Sequence, residues 1–315
     1  MQFNLEGNMN ILRALQGIRN GFLDSVMSVI TLLGEETFFM IAAMVVMWCI
    51  SKKWGFRLML TGLVGNTLNQ LLKAIFLIPR PWVLDPSFEI VESAREAASG
   101  YSFPSGHTQS AANVFGTFAA WSRKKWVAVV CTVMVLLVGF SRNYLGVHTP
   151  LDVVTSIVTG LVTIVVMTAL LDWTEKSTTG KIVVRVGSVL FMVGLILYMT
   201  LAPVREANMP EIDAHNLKTA WTILGSGAGI VVAWWVDEKK LHFPIDGVWW
   251  AQVLKIVIGM ALIMGVRLGM KPVLTAIFGD QAFTSAIRYF LMVMVGGILW
   301  PMTFRFWAKV GQKQK

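Results

Sequence analysis

Apolar runs long enough to cross a lipid bilayer recur along almost the whole chain, separated by short basic turns. In hydrocarbon the backbone must satisfy its own hydrogen bonds, and a run of about 20 apolar residues does so as a helix. The chain is therefore expected to be all-α, a polytopic membrane helical bundle. Its composition agrees, with 55% hydrophobic and 14% charged residues and a mean hydropathy of +0.63. The net charge of +9 would suggest nucleic acid for a soluble protein. Here Lys and Arg sit mainly in short loops between apolar runs, the positive-inside pattern, so no nucleic-acid partner is expected. Cys49 and Cys131 lie inside apolar runs and give neither a disulfide framework nor a metal spacing. The polar segment 1–10 lacks the regions of a removable signal peptide.

Residues 11–33 form an amphipathic stretch carrying Arg13, Arg19 and Asp24, which fits either an interfacial helix or a weak first span. Gly34-Glu35-Glu36 ends it. A short run at 37–50 and spans at about 55–78, 104–121, 126–144 and 150–171 follow. Four more lie at about 182–203, 217–236, 249–267 and 284–306. Trp121, Trp126, Trp173, Trp249, Trp250, Trp300 and Trp307 fall near run ends, as in an aromatic belt. The expected division is a six-helix core at 1–172 and about four additional helices at 173–315. If the basic turns 52–57, 123–125, 176–185 and 239–240 and the basic tail are cytoplasmic, the polar residues described next all fall at the outer face.

Three polar clusters interrupt the apolar background. In Lys73-Ala-Ile-Phe-Leu-Ile-Pro79-Arg80-Pro81, two cations seven residues apart share a face if the helix continues that far, and together would clamp an anion. The bland alternative is a snorkelling lysine. Pro104-Ser105-Gly106-His107 reads as a helix start with Pro104 as its first residue, where unpaired N–H groups and the helix dipole suit a phosphate. An ordinary N-cap is the alternative. In the third, Ser141-Arg142 ends one helix, and His148 and Asp152 stand at i and i+4 at the start of the next. A carboxylate so placed fixes the imidazole tautomer and leaves the other nitrogen nucleophilic. A helix-start ion pair is the alternative.

Taken together, Lys-x6-Arg-Pro, Pro-Ser-Gly-His and Ser-Arg-x5-His-x3-Asp resemble the three-part signature of the type 2 phosphatidic acid phosphatase superfamily, with every position filled. The resemblance covers roughly the first 172 residues. It implies a metal-independent phosphatase without a cofactor. His148 would attack phosphorus and Asp152 would orient it. His107 would protonate the leaving group and then activate water. Lys73, Arg80, Ser105, Gly106 and Arg142 would bind phosphate oxygens. The implied substrate is a lipid phosphate or diphosphate, with undecaprenyl-type diphosphate first. Phosphatidic acid, phosphatidylglycerol phosphate and sphingosine 1-phosphate are rivals, glucose 6-phosphate is a soluble alternative, and a non-catalytic lipid-binding or transport protein is the alternative of another class. The expected setting is a bacterial plasma membrane with the site facing outward.

Beyond residue 181 no catalytic motif recurs. Gly225-Ser226-Gly227-Ala228-Gly229 offers small-residue spacing for close helix packing. A scaffold or homodimer surface, a cover over a lipid path and a transport activity compete for this half; a structural or substrate-shaping role is favoured. The 204–216 loop reads as a solvated connection, and His215 and His242 as surface histidines.

Overall fold

The computed structural model describes residues 5–311, so Met1–Asn4 of the polar N-terminus and Gln312–Lys315 of the basic tail lie outside the described residues. The amphipathic stretch is two helices rather than one, α1 (Leu5–Gln16) and α2 (Gly21–Thr31). The Asn20 side chain caps the second by accepting from the Leu23 N–H at 3.0 Å. Arg19, in the break, donates to the carbonyls of Tyr144 (2.9 Å) and Glu89 (2.6 Å). After a tight turn at Leu32–Gly34 comes α3 (Glu36–Val45), which continues through a wider turn to Ile50. Gly21–Gly34 and Glu36–Ile50 are apolar enough to cross together, bent by 52° at their junction.

Next come α4 (Lys52–Phe76), the single turn α5 (Pro81–Leu84) and α6 (Gly106–Ser122). α4 and α6 occupy the places expected of spans, yet neither is among the strongly apolar helices. The reason lies in their inward residues. Thr67, Asn69 and Lys73 of α4 and Thr108, Gln109 and Asn113 of α6 are all buried. Among the described residues six helices are long and apolar enough to cross a membrane: α7 (Lys125–Tyr144), α8 (Pro150–Lys176), α9 (Thr178–Leu201), α10 (Pro210–Val236, extended to Leu241), α11 (Trp249–Phe278) and α12 (Thr284–Met294, extended to Trp307). The chain is an all-α integral membrane protein.

The residues form two compact units. One contains the chain up to Phe39, Val64–Leu170 and Tyr198–Asn216. Here α6 packs along α7, and the Leu32–Gly34 turn abuts the start of α6. A Cβ at Gly34 would lie 2.7 Å from the His107 carbonyl oxygen and 2.9 Å from the His107 Cβ, so only glycine permits that approach.

The other unit contains Met40–Leu63, Leu171–Leu197 and the chain from Leu217 onward. Its α10 meets α12 at Gly225, where a Cβ would strike the Ala286 backbone, and at Gly229, where one would lie 2.8 Å from Val293. The glycine spacing thus serves close packing, as expected. Its core holds Trp48, whose indole N–H donates to the Gly296 carbonyl at 2.9 Å. Lys255, fully buried near the start of α11, donates to the Trp48 carbonyl at 3.1 Å and lies 4.5 Å from the Phe304 ring centre. Trp300 is buried beside it and donates to the Lys255 carbonyl at 3.1 Å. It therefore belongs to the core and not to an aromatic belt, whereas Trp126, Trp173, Trp249 and Trp250 are exposed.

Candidate active site

The three polar clusters meet within the first unit. α4 carries Lys73 to within one turn of its end, and the chain then leaves the helix through Leu77, whose φ is +50°. Lys73 and Arg80 are consequently not on one helix face. Arg80 stands in extended backbone before α5, where Pro81 takes the first helical position. The two cations converge through the Ser99–Ser102 segment instead. The Lys73 ammonium donates to the Tyr101 carbonyl. Arg80 Nε donates to the Gly100 carbonyl at 2.9 Å and one terminal nitrogen donates to the Ser99 carbonyl at 2.9 Å. Both cations are buried. Burial lowers the Arg80 guanidinium to about 10, which leaves it charged at neutral pH.

The helix expected at Pro104 begins two residues later, at Gly106, with Ser105 as N-cap. Ser105 Oγ accepts from the Thr108 N–H (3.4 Å) and hydroxyl (2.9 Å), which leaves its own O–H free to donate. The first N–H groups of α6 have no partner within the helix. His107 Nε2 is buried without a hydrogen-bond partner. Arg142, fully buried at the end of α7, gives one terminal nitrogen to Thr31 Oγ1 at 2.7 Å. Its Nε and other terminal nitrogen have no acceptor. Leaving a buried donor unpaired costs about 1–3 kcal/mol, more when it is charged. Such an arrangement fits an anion that supplies the missing acceptors.

His148 lies in the turn before α8 and not on the helix itself, while Asp152 is in the first turn of α8. The pair still meets, with Nδ1 at 3.3 Å from Oδ2. That same Oδ2 accepts from Ser102 Oγ at 2.6 Å and from the Thr149 N–H at 2.8 Å. On the opposite ring edge, His148 Nε2 is 2.8 Å from an Arg80 terminal nitrogen, which also donates to the Val147 carbonyl at 2.8 Å. Arginine has no acceptor, so Nε2 receives this bond and Nδ1 carries the proton toward Asp152. Asn143 holds the backbone by donating to the His148 carbonyl at 2.9 Å. Burial, and then the nearby charges of Arg80, Arg142 and Lys73, hold His148 well below the usual histidine range, so its neutral form persists into mild acid.

Sequence reasoning missed Ser102, Thr149, Asn143 and Thr31. Asn143 and Thr149 sit within the third polar cluster and Ser102 lies two residues before the second; Thr31 carries no sequence signal. The 204–216 segment is also more than a solvated connection. The Tyr101 hydroxyl donates to Asp213 at 2.9 Å and accepts from the Met209 N–H at 2.9 Å. Arg205 donates to the carbonyls of Ala74 and Ile75, both at 2.7 Å, at the end of α4. His215 and His242 are exposed, as expected.

Residues 54–176 match the model of the PAP2 superfamily, and residues 221–312 match that of the PAP2 superfamily phosphatase transmembrane extension. The undecaprenyl-diphosphatase BcrC of Bacillus subtilis strain 168 is 30% identical over 161 residues, covering 49% of this chain and 79% of the relative. Phosphatidylglycerophosphatase B of the same strain is 32% identical over 164 residues, covering 48% and 76%. A probable sphingosine-1-phosphate phosphatase of Dictyostelium discoideum is 25% identical over 247 residues, 74% of this chain, and this chain spans 59% of that relative's length.

Proposed function

The chain belongs to the PAP2 superfamily, and from that premise we propose that this membrane lipid phosphatase removes phosphate from an undecaprenyl-type diphosphate through a phosphohistidine intermediate. The observation that carries the mechanism is the double grip on His148, with Asp152 at Nδ1 and Arg80 at Nε2. In this reading a phosphate oxygen takes over the Arg80 donor and frees the Nε2 lone pair. That lone pair attacks phosphorus as the bond to the leaving oxygen breaks. His107 gives the leaving oxygen a proton and then accepts one from the water that cleaves the phosphorus–nitrogen bond. Lys73, Arg80, Arg142, the Ser105 hydroxyl and the Gly106 N–H hold the non-bridging oxygens, where the charge of the transition state is spread. None of these steps calls for a metal or cofactor.

The substrate preference is supported by the relative named undecaprenyl-diphosphatase. Relatives named for phosphatidylglycerophosphate and sphingosine 1-phosphate make those lipids the rival substrates. The test is phosphate release by purified protein in detergent with EDTA present. Undecaprenyl diphosphate, phosphatidic acid, phosphatidylglycerol phosphate, sphingosine 1-phosphate and glucose 6-phosphate form the panel. The expected result is EDTA-insensitive release, fastest from undecaprenyl diphosphate. Release lost on adding EDTA would overturn the metal-independent mechanism, and a faster rate on another lipid would reassign the substrate.

We also propose that the site faces outward across a bacterial plasma membrane, because the basic turns between spans mark the opposite side. Arg95 is exposed and paired with Glu92 at 2.6 Å. Arg95→Cys is expected to react with a membrane-impermeant thiol reagent in intact cells. Reaction only after lysis would reverse the orientation.

A further inference from the structure

In the second unit, which contains none of the signature residues, the N-terminal end of α4, the C-terminal end of α8, the start of α9 and the end of α10 line a cavity of about 350 Å³. That volume is within the range of small-ligand sites. Its walls carry Lys52, Lys53, Arg57 and Lys181. Its apolar floor is Phe56 and Trp234, stacked with ring centres 6.2 Å apart, with Leu171 alongside. Arg185 covers the outer face of Trp234, 4.3 Å from the ring centre.

The charges are arranged as three groups of ion pairs. Lys52 meets Asp237 at 2.9 Å, and Lys53 meets Glu175 at 2.7 Å. Arg57, nearly buried, meets Asp172 at 2.6 Å and also Glu175. Lys181 and Arg185 share Glu238. Five cations therefore face four carboxylates, which leaves one positive charge uncompensated beside a cavity with an aromatic floor. Asp172, Glu175 and Lys53 are each about half exposed, so the network opens at its rim. All four helix ends carry or adjoin the basic turns 52–57, 176–185 and 239–240, the kind of segment that the positive-inside pattern sets beside the headgroup phosphates.

We propose that this cavity is a binding site for the monoanionic phosphodiester headgroup of an anionic phospholipid, separate from the catalytic site. The phosphate supplies the missing negative charge to Lys181, which shares Glu238 with Arg185, and Lys53 at the half-exposed rim gives it a second donor. The glycerol and upper acyl carbons lie against Phe56, Trp234 and Leu171. A free phosphate would satisfy the charge and leave the aromatic floor unused, so the two sources of phosphate can be told apart.

The test uses the full-length protein in a zwitterionic detergent and measures its melting temperature and the lipid it retains by native mass spectrometry. Phosphatidylglycerol is expected to raise the melting temperature by several degrees and to be retained as one tightly held molecule. Phosphatidylcholine and inorganic phosphate are expected to do neither. Lys181→Gln and, separately, the more exposed Lys53→Gln should each reduce retention at least threefold, while Lys181→Arg keeps it. Hydrolysis of a soluble chromogenic phosphate should be unchanged in all three variants, which shows that they are folded. Equal effects of phosphatidylcholine, a full effect of inorganic phosphate, or undiminished retention in both glutamine variants would each overturn the proposal.

Discussion

His148→Ala is expected to reduce phosphate release to background, a loss of roughly five orders of magnitude or more, because it removes the atom that would bond to phosphorus. The protein should still fold. The His148 side chain gives two ring contacts, to Asp152 and Arg80, while Arg80 keeps its bonds to the carbonyls of Ser99, Gly100 and Val147. A melting temperature within a few degrees of wild type would confirm that. Substantial release from such a folded variant would remove His148 from the nucleophile's role. Single-turnover labelling with a radioactive phosphoryl donor makes the same point positively, as an acid-labile, base-stable phosphoenzyme present in wild type and missing in the variant.

Asp152→Asn is the second large effect, and the geometry specifies its cause. In catalytic triads the amide replacement costs about 10⁴-fold because it holds the imidazole in the wrong tautomer. Here Ser102 Oγ and the Thr149 N–H already donate to Oδ2. Those two donors hold the amide oxygen of an introduced asparagine toward the ring and keep its NH₂ away. The tautomer is preserved, and what is lost is the negative charge that stabilises the imidazole as it bonds to phosphorus. The expected fall in kcat is therefore smaller, about 10²-fold. Adding Ser102→Ala lets the amide rotate, so the double variant should fall well below the product of the two single effects. An unchanged rate in Asp152→Asn would take Asp152 out of the mechanism; strict additivity would refute the role given to Ser102.

The membrane class was legible because long apolar runs admit few alternatives. The candidate site was legible because polar residues are costly in such a background, so Lys73, Arg80, His107, Arg142, His148 and Asp152 stood out. What could not be read was how loops bring donors together. The alignment of Lys73 with Arg80 assumed a helix that instead ends at Phe76, with Leu77 in the left-handed region. Ser102 and Thr149 reach Oδ2 only through the turns that carry them, and a polar residue in a turn has no periodicity to reveal its target. The 204–216 segment looked like a solvated loop because its composition is polar. Its Asp213 and Arg205 spend that polarity on Tyr101 and on the carbonyls ending α4. Lys255 escaped notice for the converse reason: a lone lysine near a helix start looks like one reaching for the headgroups, and backbone carbonyls and an aromatic ring hold it inside.

The bond between Arg80 and His148 Nε2 bears on which esters this protein can attack. In the proposed mechanism the lone pair that attacks is the one Arg80 covers here, and the cover is a cation. A carboxylic ester or an amide brings no anionic oxygen to exchange for the imidazole, so it meets a masked nucleophile even where its acyl carbon fits. A phosphoryl group carries charge that would draw the guanidinium away, and so would unmask the atom proposed to attack it. Chemoselectivity is in that case a property of the resting state, set before any substrate is bound.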